Sequence, residues 1–142
     1  MNIVLVDDDK DDQMIFKKAL QDLQTDAALQ VFSDGCEVLG HLEACEKLPD
    51  ILFLDLNMPK VGGLDVLKKI RNSTHLKSLT VAIYSTSAAE KDVEDTFLAG
   101  ANVYIAKPTS MDKLREALSR VLSMNAQFLD SGLNKDTFLL SL

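Results

Sequence analysis

Five short apolar runs, each followed by an amphipathic stretch, leave this chain few ways to fold. The runs are Ile3–Val6, Leu29–Phe32, Ile51–Leu54, Val81–Tyr84 and Val103–Ala106. The first, third, fourth and fifth are nearly unbroken in apolar residues, the pattern of parallel strands covered on both faces. Leu29-Gln30-Val31-Phe32 alternates instead and suits an edge. Between the runs, apolar residues recur every three or four positions, as helices with one buried face require. Ile15, Phe16, Ala19, Leu20 and Leu23 form the first such set, and Val38, Leu39, Leu42 and Cys45 the second. Leu64, Leu67 and Ile70 form the third; Val93, Phe97 and Leu98 form the fourth, which stops at Gly100, a natural C-terminal signal. Met111, Leu114, Leu118, Val121 and Leu122 form the fifth. Asp34-x-x-Glu37, Ser87-x-x-Glu90 and Thr109-x-x-Asp112 have the form of capping boxes and predict helix starts. Five β-then-α units in succession predict an α/β fold: an open, doubly wound parallel sheet with helices on both faces and right-handed crossovers.

The length of 142 residues is one domain's worth, and 46% apolar with 26% charged residues is an ordinary globular mixture. No run approaches the roughly 20 apolar residues that span a bilayer, and the N-terminus lacks the form of a signal peptide. The cytoplasm is therefore the expected compartment. Cys36 and Cys45, nine apart and without a C-x-x-C, read as reduced, small apolar packers. A net charge of −7 makes nucleic acid and anionic membranes poor partners, whereas an acidic cleft could hold a metal cation. After about Met124 the helical period fades, which places the domain at residues 1–124 and a tail at 125–142. Phe128, Leu129, Phe138, Leu139 and Leu140 make that tail too apolar for a free linker. Packing on the sheet edge, a homodimer contact and disorder all stay open for it, with composition favouring the first two.

In open α/β sheets, ligands bind beyond the carboxyl ends of the strands. Strand one ends in Asp7-Asp8-Asp9, strand three in Asp55, strand four in Ser85-Thr86-Ser87 and strand five in Lys107-Pro108. Clustered carboxylates repel and need a compensating cation, and all-oxygen ligands suit a hard ion such as Mg²⁺. A carboxylate beside such an ion, with a hydroxyl and an ammonium nearby, is equipped to accept a phosphoryl group. Asp55 is the candidate nucleophile, which explains why an apolar strand ends on an acid. Plainer roles exist for single members: Asp9 suits a helix cap, Asp55 a turn, Ser87 a cap and Lys107 the surface. Their fall at successive strand ends is what favours a shared site.

As a set, I-V-L-V-D-D-D, L-F-L-D-L-N-M-P with G-G-L after it, A-I-Y-S-T-S and G-A-N-V-Y-I-A-K-P resemble the receiver domain of two-component response regulators. The resemblance covers roughly residues 1–122. It implies a flavodoxin-like (βα)5 sandwich with strand order 2-1-3-4-5. It also implies phosphorylation of Asp55 by a sensor histidine kinase or histidine phosphotransfer protein, in a Mg²⁺-dependent reaction. Asp7, Asp8 and Asp55, with the carbonyl of Asn57, would hold the metal. Ser85 and Lys107 would contact the phosphoryl group, and Lys107-Pro108 would be cis. Ser85 and Tyr104 would act as the switch pair, changing a surface of the fourth helix, fifth strand and fifth helix that a downstream protein target reads. Asn57 and Ser87 occupy positions that modulate autodephosphorylation.

The chain departs from the family's habits at Ser85, where Thr is common, at Thr86, where a smaller residue is usual, and at Thr109, where an aromatic often follows Lys-Pro. Lifetime and output are the properties these departures touch. Two rival functions fit parts of the pattern. A haloacid-dehalogenase-type phosphatase would use Asp7 as nucleophile in D-x-D, but Asp11 stands where Thr or Val is wanted and Asp55 has no role. A receiver-like module that docks without phosphorylation would have no use for the intact acids, hydroxyl and lysine. The expected function is thus a stand-alone receiver that signals by protein contacts and is no enzyme beyond its own phosphorylation and dephosphorylation.

Overall fold

Each apolar run becomes a strand and each amphipathic stretch a helix in the computed structural model, which describes residues 1–130 and 138–140, with side chains for 1–124 and 138–140. In order they are β1 (Asn2–Val6), α1 (Lys10–Asp22), β2 (Ala28–Phe32), α2 (Gly35–Ala44) and β3 (Ile51–Leu54). There follow α3 (Gly63–Asn72), β4 (Val81–Ser85), α4 (Glu90–Leu98), β5 (Val103–Ala106) and α5 (Met111–Asp130). The strands form one parallel sheet in the order β2-β1-β3-β4-β5. The alternating strand, β2, lies at an edge and leaves Val31 exposed.

Side chains alternate across a strand, so each central strand feeds two cores. Ile3, Leu5, Phe53, Tyr84 and Ile105 pack with Phe16, Ala19 and Leu20 of α1 and Leu114, Leu118 and Val121 of α5. Val4, Val6, Leu52, Leu54 and Ile83 pack on the opposite side with Val38 and Leu42 of α2 and Val66, Leu67 and Ile70 of α3. Val93 and Phe97 of α4 join this second core. Leu98, expected beside them, is 73% exposed, so the buried period of α4 stops at Phe97. Cys36 is exposed rather than packed, and both cysteines are free thiols.

Helix starts follow side-chain chemistry, with two shifts from the sequence reading. Asp34 caps α2, accepting from the Glu37 amide at 2.7 Å. Asp9 caps α1, accepting from the amides of Asp11 and Asp12 at 2.8 and 3.1 Å. Ser87 does not cap α4, whose N-cap is Ala89; its hydroxyl donates to Asp92 Oδ2 at 2.5 Å and accepts from the Ala89 amide at 3.2 Å. At α5 the capping hydroxyl is Ser110 rather than Thr109, accepting from the Lys113 amide at 3.2 Å.

Two features tie the edges. Arg71, in the last turn of α3, donates to the carbonyls of Gly100, Lys77 and Leu79 at 2.8, 3.2 and 2.6 Å, and to Asn102 Oδ1 at 2.9 Å. Asn102 Oδ1 also accepts from the Val81 amide at 2.8 Å. Gly100, with φ of +97°, makes the left-handed turn that brings its carbonyl there. At the free edge of β5, Leu139 forms a parallel bridge with Tyr104, and the Leu140 amide donates to the Tyr104 carbonyl at 3.0 Å. Phe138 is fully buried, its ring edge-on to Phe97 at 5.3 Å and Tyr104 at 6.1 Å. Of the roles left open for the tail, this part of it packs on the sheet edge. Helix α5 runs to Asp130, past the residue at which its apolar period fades. Phe128 and Leu129 lie outside the described side chains.

Candidate functional site

The sheet register brings the acids together. Val6 of β1 pairs with Leu54 of β3, so Asp7 and Asp55, one residue further on, leave neighbouring strands side by side. By alternation both continue the face of Leu5 and Phe53, the side covered by α1 and α5. The Asp55 amide donates to the Val6 carbonyl and the Asp7 amide to the Phe32 carbonyl, both at 3.0 Å, which carries the ladder through the acids themselves. Gly63 opens α3 directly beneath: a Cβ there would lie 2.1 Å from the Asp55 carbonyl oxygen and 2.8 Å from Leu56 Cα. Only a residue without a side chain lets the helix start this close to the strand end.

Asp7, Asp8 and Asp55 each present a carboxylate oxygen, and the three oxygens lie within 4.8 Å of one another. Asp7 is fully buried, Asp55 is 4% exposed and Asp8 is open to solvent. The hard, anionic donor set and its open side fit a divalent cation that keeps some water. Lys107 reaches in from the end of β5, its amide bound to the Ser85 carbonyl at 2.7 Å. Its ammonium lies 2.8 Å from Asp7 Oδ2, 2.7 Å from Asp12 Oδ2 and 3.8 Å from Asp55 Oδ2. Ser85 is buried at the end of β4, while Thr86 beside it is exposed. The Asn57 amide points at Asp55 Oδ1 at 3.5 Å. Tyr104 is fully buried and donates to the Ser87 carbonyl at 2.7 Å, and the Ser87 amide donates to Ser85 Oγ at 3.2 Å.

The Lys107–Pro108 bond, for which the resemblance implied cis, is trans, as are all peptide bonds among the described residues. Trans is the intrinsically favoured form of an X–Pro bond by about 0.5–1 kcal/mol, and from it Lys107 already reaches its carboxylates.

The two buried acids differ in how fully they are engaged. Asp7 has both oxygens occupied, Oδ1 by the Asp9 amide at 3.0 Å and Oδ2 by Lys107. Asp55 has only long contacts, at 3.5 and 3.8 Å. Burial raises the Asp55 carboxyl from its ordinary 3.8 to about 6, helped by the charges of Asp7 and Asp8 and opposed by Lys107 and the Asn57 amide. For Lys107 burial acts the other way, but hydrogen bonds to Asp12 and Asp7 outweigh it and hold the ammonium well above the usual lysine range. Burial likewise raises the Tyr104 phenol.

Asp12 is the member that sequence reasoning passed over. It sits in the first turn of α1, above the end of β1, where an acid reads simply as favourable to the helix dipole. Gln13 follows it inward, donating to the Asp7 carbonyl at 2.5 Å.

The profile of the response regulator receiver domain matches residues 3–119. This chain belongs to that family. Among curated receivers, the chemotaxis protein CheY1 of Helicobacter pylori is 32% identical over 88% of this chain and 99% of its own length. Response regulator Rcp1 of Synechocystis is 30% identical over 79% of this chain and 80% of its own. The Mn²⁺-bound form of Rcp1 superposes with a TM-score of 0.77 at 27% identity, covering 93% of this receiver and 96% of that chain. The phosphorylated cyanobacterial phytochrome response regulator RcpA superposes at 0.79 with 28% identity and the same coverage. The receiver is thus of the flavodoxin-like kind in the order 2-1-3-4-5, a signalling protein of the two-component class rather than a conventional enzyme. The rival phosphatase reading is not favoured: the match is to the receiver family, and both oxygens of Asp7, its nucleophile, are engaged by hydrogen bonds. Among the described residues, no helix is long and apolar enough to cross a membrane.

Proposed function

We propose that Asp55 is the phosphoacceptor of this receiver. One observation carries the reading: of the two buried carboxylates at the strand ends, Asp55 alone has oxygens free of short hydrogen bonds, and it lies within reach of Lys107. The donor is a phosphohistidine on a sensor histidine kinase or histidine phosphotransfer protein. The nitrogen–phosphorus bond breaks as an Asp55 oxygen bonds to phosphorus, and the imidazole leaves with the electron pair.

Asp7, Asp8 and Asp55, with the Asn57 carbonyl, would hold Mg²⁺. When bound, that ion supplies positive charge against the phosphoryl oxygens. Lys107 adds a second cation to the same oxygens, and Asp7 and Asp12 keep it charged and aimed into the site. Ser85 offers its hydroxyl to the modified acceptor, and Tyr104, joined to it through Ser87, reports the change to α4, β5 and α5. Asn57 and Ser87 flank the site and orient the water that returns Asp55 to its free state. The receiver acts in the cytoplasm on a protein target. Residues 1–124 carry this chemistry, and residues 125–142 are an accessory segment.

Intact-mass measurement after treatment with a small phosphodonor and Mg²⁺ tests the assignment. A gain of one phosphoryl group is expected in the native chain and none in Asp55→Asn. An unchanged mass in the native chain would support the rival in which the module docks without phosphate. A gain that survives Asp55→Asn would move the acceptor elsewhere.

A further inference from the structure

Tyr104 stands between the acid cluster and the tail. Toward the cluster, its hydroxyl is bound to the Ser87 carbonyl, and the Ser87 amide to Ser85 Oγ. Toward the tail, its ring meets the edge of Phe138, and its own carbonyl accepts from the Leu140 amide. The tail is therefore attached in two chemically different ways. Phe138 is an aromatic plug in the groove between α4 and β5, closed on its other side by Phe97. Leu139 and Leu140 add a minimal strand to an edge whose amides and carbonyls are a ready template for an extended peptide.

Phe138 and Tyr104 are both fully buried, so the tyrosine ring is packed in place by the plug. Interiors are close-packed, and a ring of this size cannot turn outward without displacing its neighbour. Docking of the tail and the inward position of Tyr104 are one packing arrangement. The same inward position holds the hydrogen bond that leads to Ser85.

We propose that Phe138–Leu140 is a tethered ligand of the α4–β5 groove, and that its docking and occupancy of Asp55 favour each other by jointly holding Tyr104 inward. This rests on the assignment of Asp55 as acceptor. Reciprocity is a thermodynamic requirement: whatever factor docking adds to occupancy, occupancy adds to docking. A partner that adds a strand at β5 must first displace the tail.

Beryllofluoride with Mg²⁺, a non-covalent mimic of the phosphoryl group, tests this on the full chain. Hydrogen exchange at the Leu140 amide reads docking, and ¹⁹F resonances read occupancy. The Leu140 amide is expected to be protected in the free protein, and about 5-fold or more further protected at saturating beryllofluoride. Phe138→Ala removes the plug and Leu140→Pro removes the amide donor while leaving the plug. Each is expected to raise the half-saturating beryllofluoride concentration about 5-fold or more. A Leu140 amide that exchanges freely in the native chain would overturn the docking. Saturation that leaves Leu140 protection unchanged, or variants that saturate like the native chain, would overturn the coupling alone. A native chain that binds no beryllofluoride would overturn the acceptor assignment and the coupling together, with docking still reported by Leu140.

Discussion

Replacing Asp55 with Asn should stabilise the protein, and the gain should vanish as pH falls. Asp55 is 4% exposed, and its carboxyl is raised from 3.8 to about 6, chiefly by burial. A raised carboxyl pKa means the folded state binds the proton more tightly than the unfolded state, so stability falls as pH rises between those two values. At 1.36 kcal/mol per pKa unit, the ionised Asp55 costs on the order of 3 kcal/mol at pH 7, roughly half that near pH 5 and little by pH 4. Asn keeps the shape and removes the charge, so Asp55→Asn should gain about those amounts in metal-free buffer. The assay is urea unfolding of both proteins with a chelator present, followed across that pH range. For a chain of this size the pH 7 gain corresponds to a rise in Tm of about 6–12 °C. Saturating Mg²⁺ should shrink the gap by stabilising the native carboxylate set more than the variant's. A gap that does not change with pH, or Asp55→Asn less stable than the native protein at pH 7, would refute the claim that Asp55 is held as a costly anion.

Lys107→Met should cost about 3 kcal/mol or more, because it strands fully buried Asp7 without its cation; titrating Mg²⁺ into unfolding experiments should recover part of that loss, and insensitivity to the metal would refute the shared charge balance. Gly63→Ala should cost about 3 kcal/mol or more through the clash with the Asp55 carbonyl and Leu56, and should slow phosphodonor uptake measured by intact mass. Asp9→Ala should cost about 1 kcal/mol through loss of the α1 cap and leave phosphoryl uptake unchanged, since Asp9 is a cap and not a ligand.

The sheet was legible because Ile51–Leu54 and Val81–Tyr84 are buried on both faces, and such strands write themselves as unbroken apolar runs. The acids and the lysine were legible because topology alone sends strand ends to one rim. What escaped depends on distance in space. Asp12 looks like any acid in a first helical turn until Lys107 arrives from 95 residues away. Ser87 has the spacing of a cap, yet Asp92 captures its hydroxyl, its own amide turns to Ser85, and the N-cap falls two residues later at Ala89. Leu98 matches the period of α4 on its face, but the chain turns away at Gly100 before anything covers it. The tail's apolar character was visible, whereas its seat was not, because only Phe97 and Tyr104 together make a slot for Phe138.

Arg71 has a mechanical consequence for a molecule of this kind. Its guanidinium rivets the last turn of α3 to the segment before β4 and to the turn before β5, at the rim opposite the carboxylates. Neighbouring strands pinned there cannot slide past one another. A stimulus arriving at the far rim must then travel as rotating rings and shifting loops above a stationary base, and the amides around Val81 and Asn102 should open only when the whole domain unfolds.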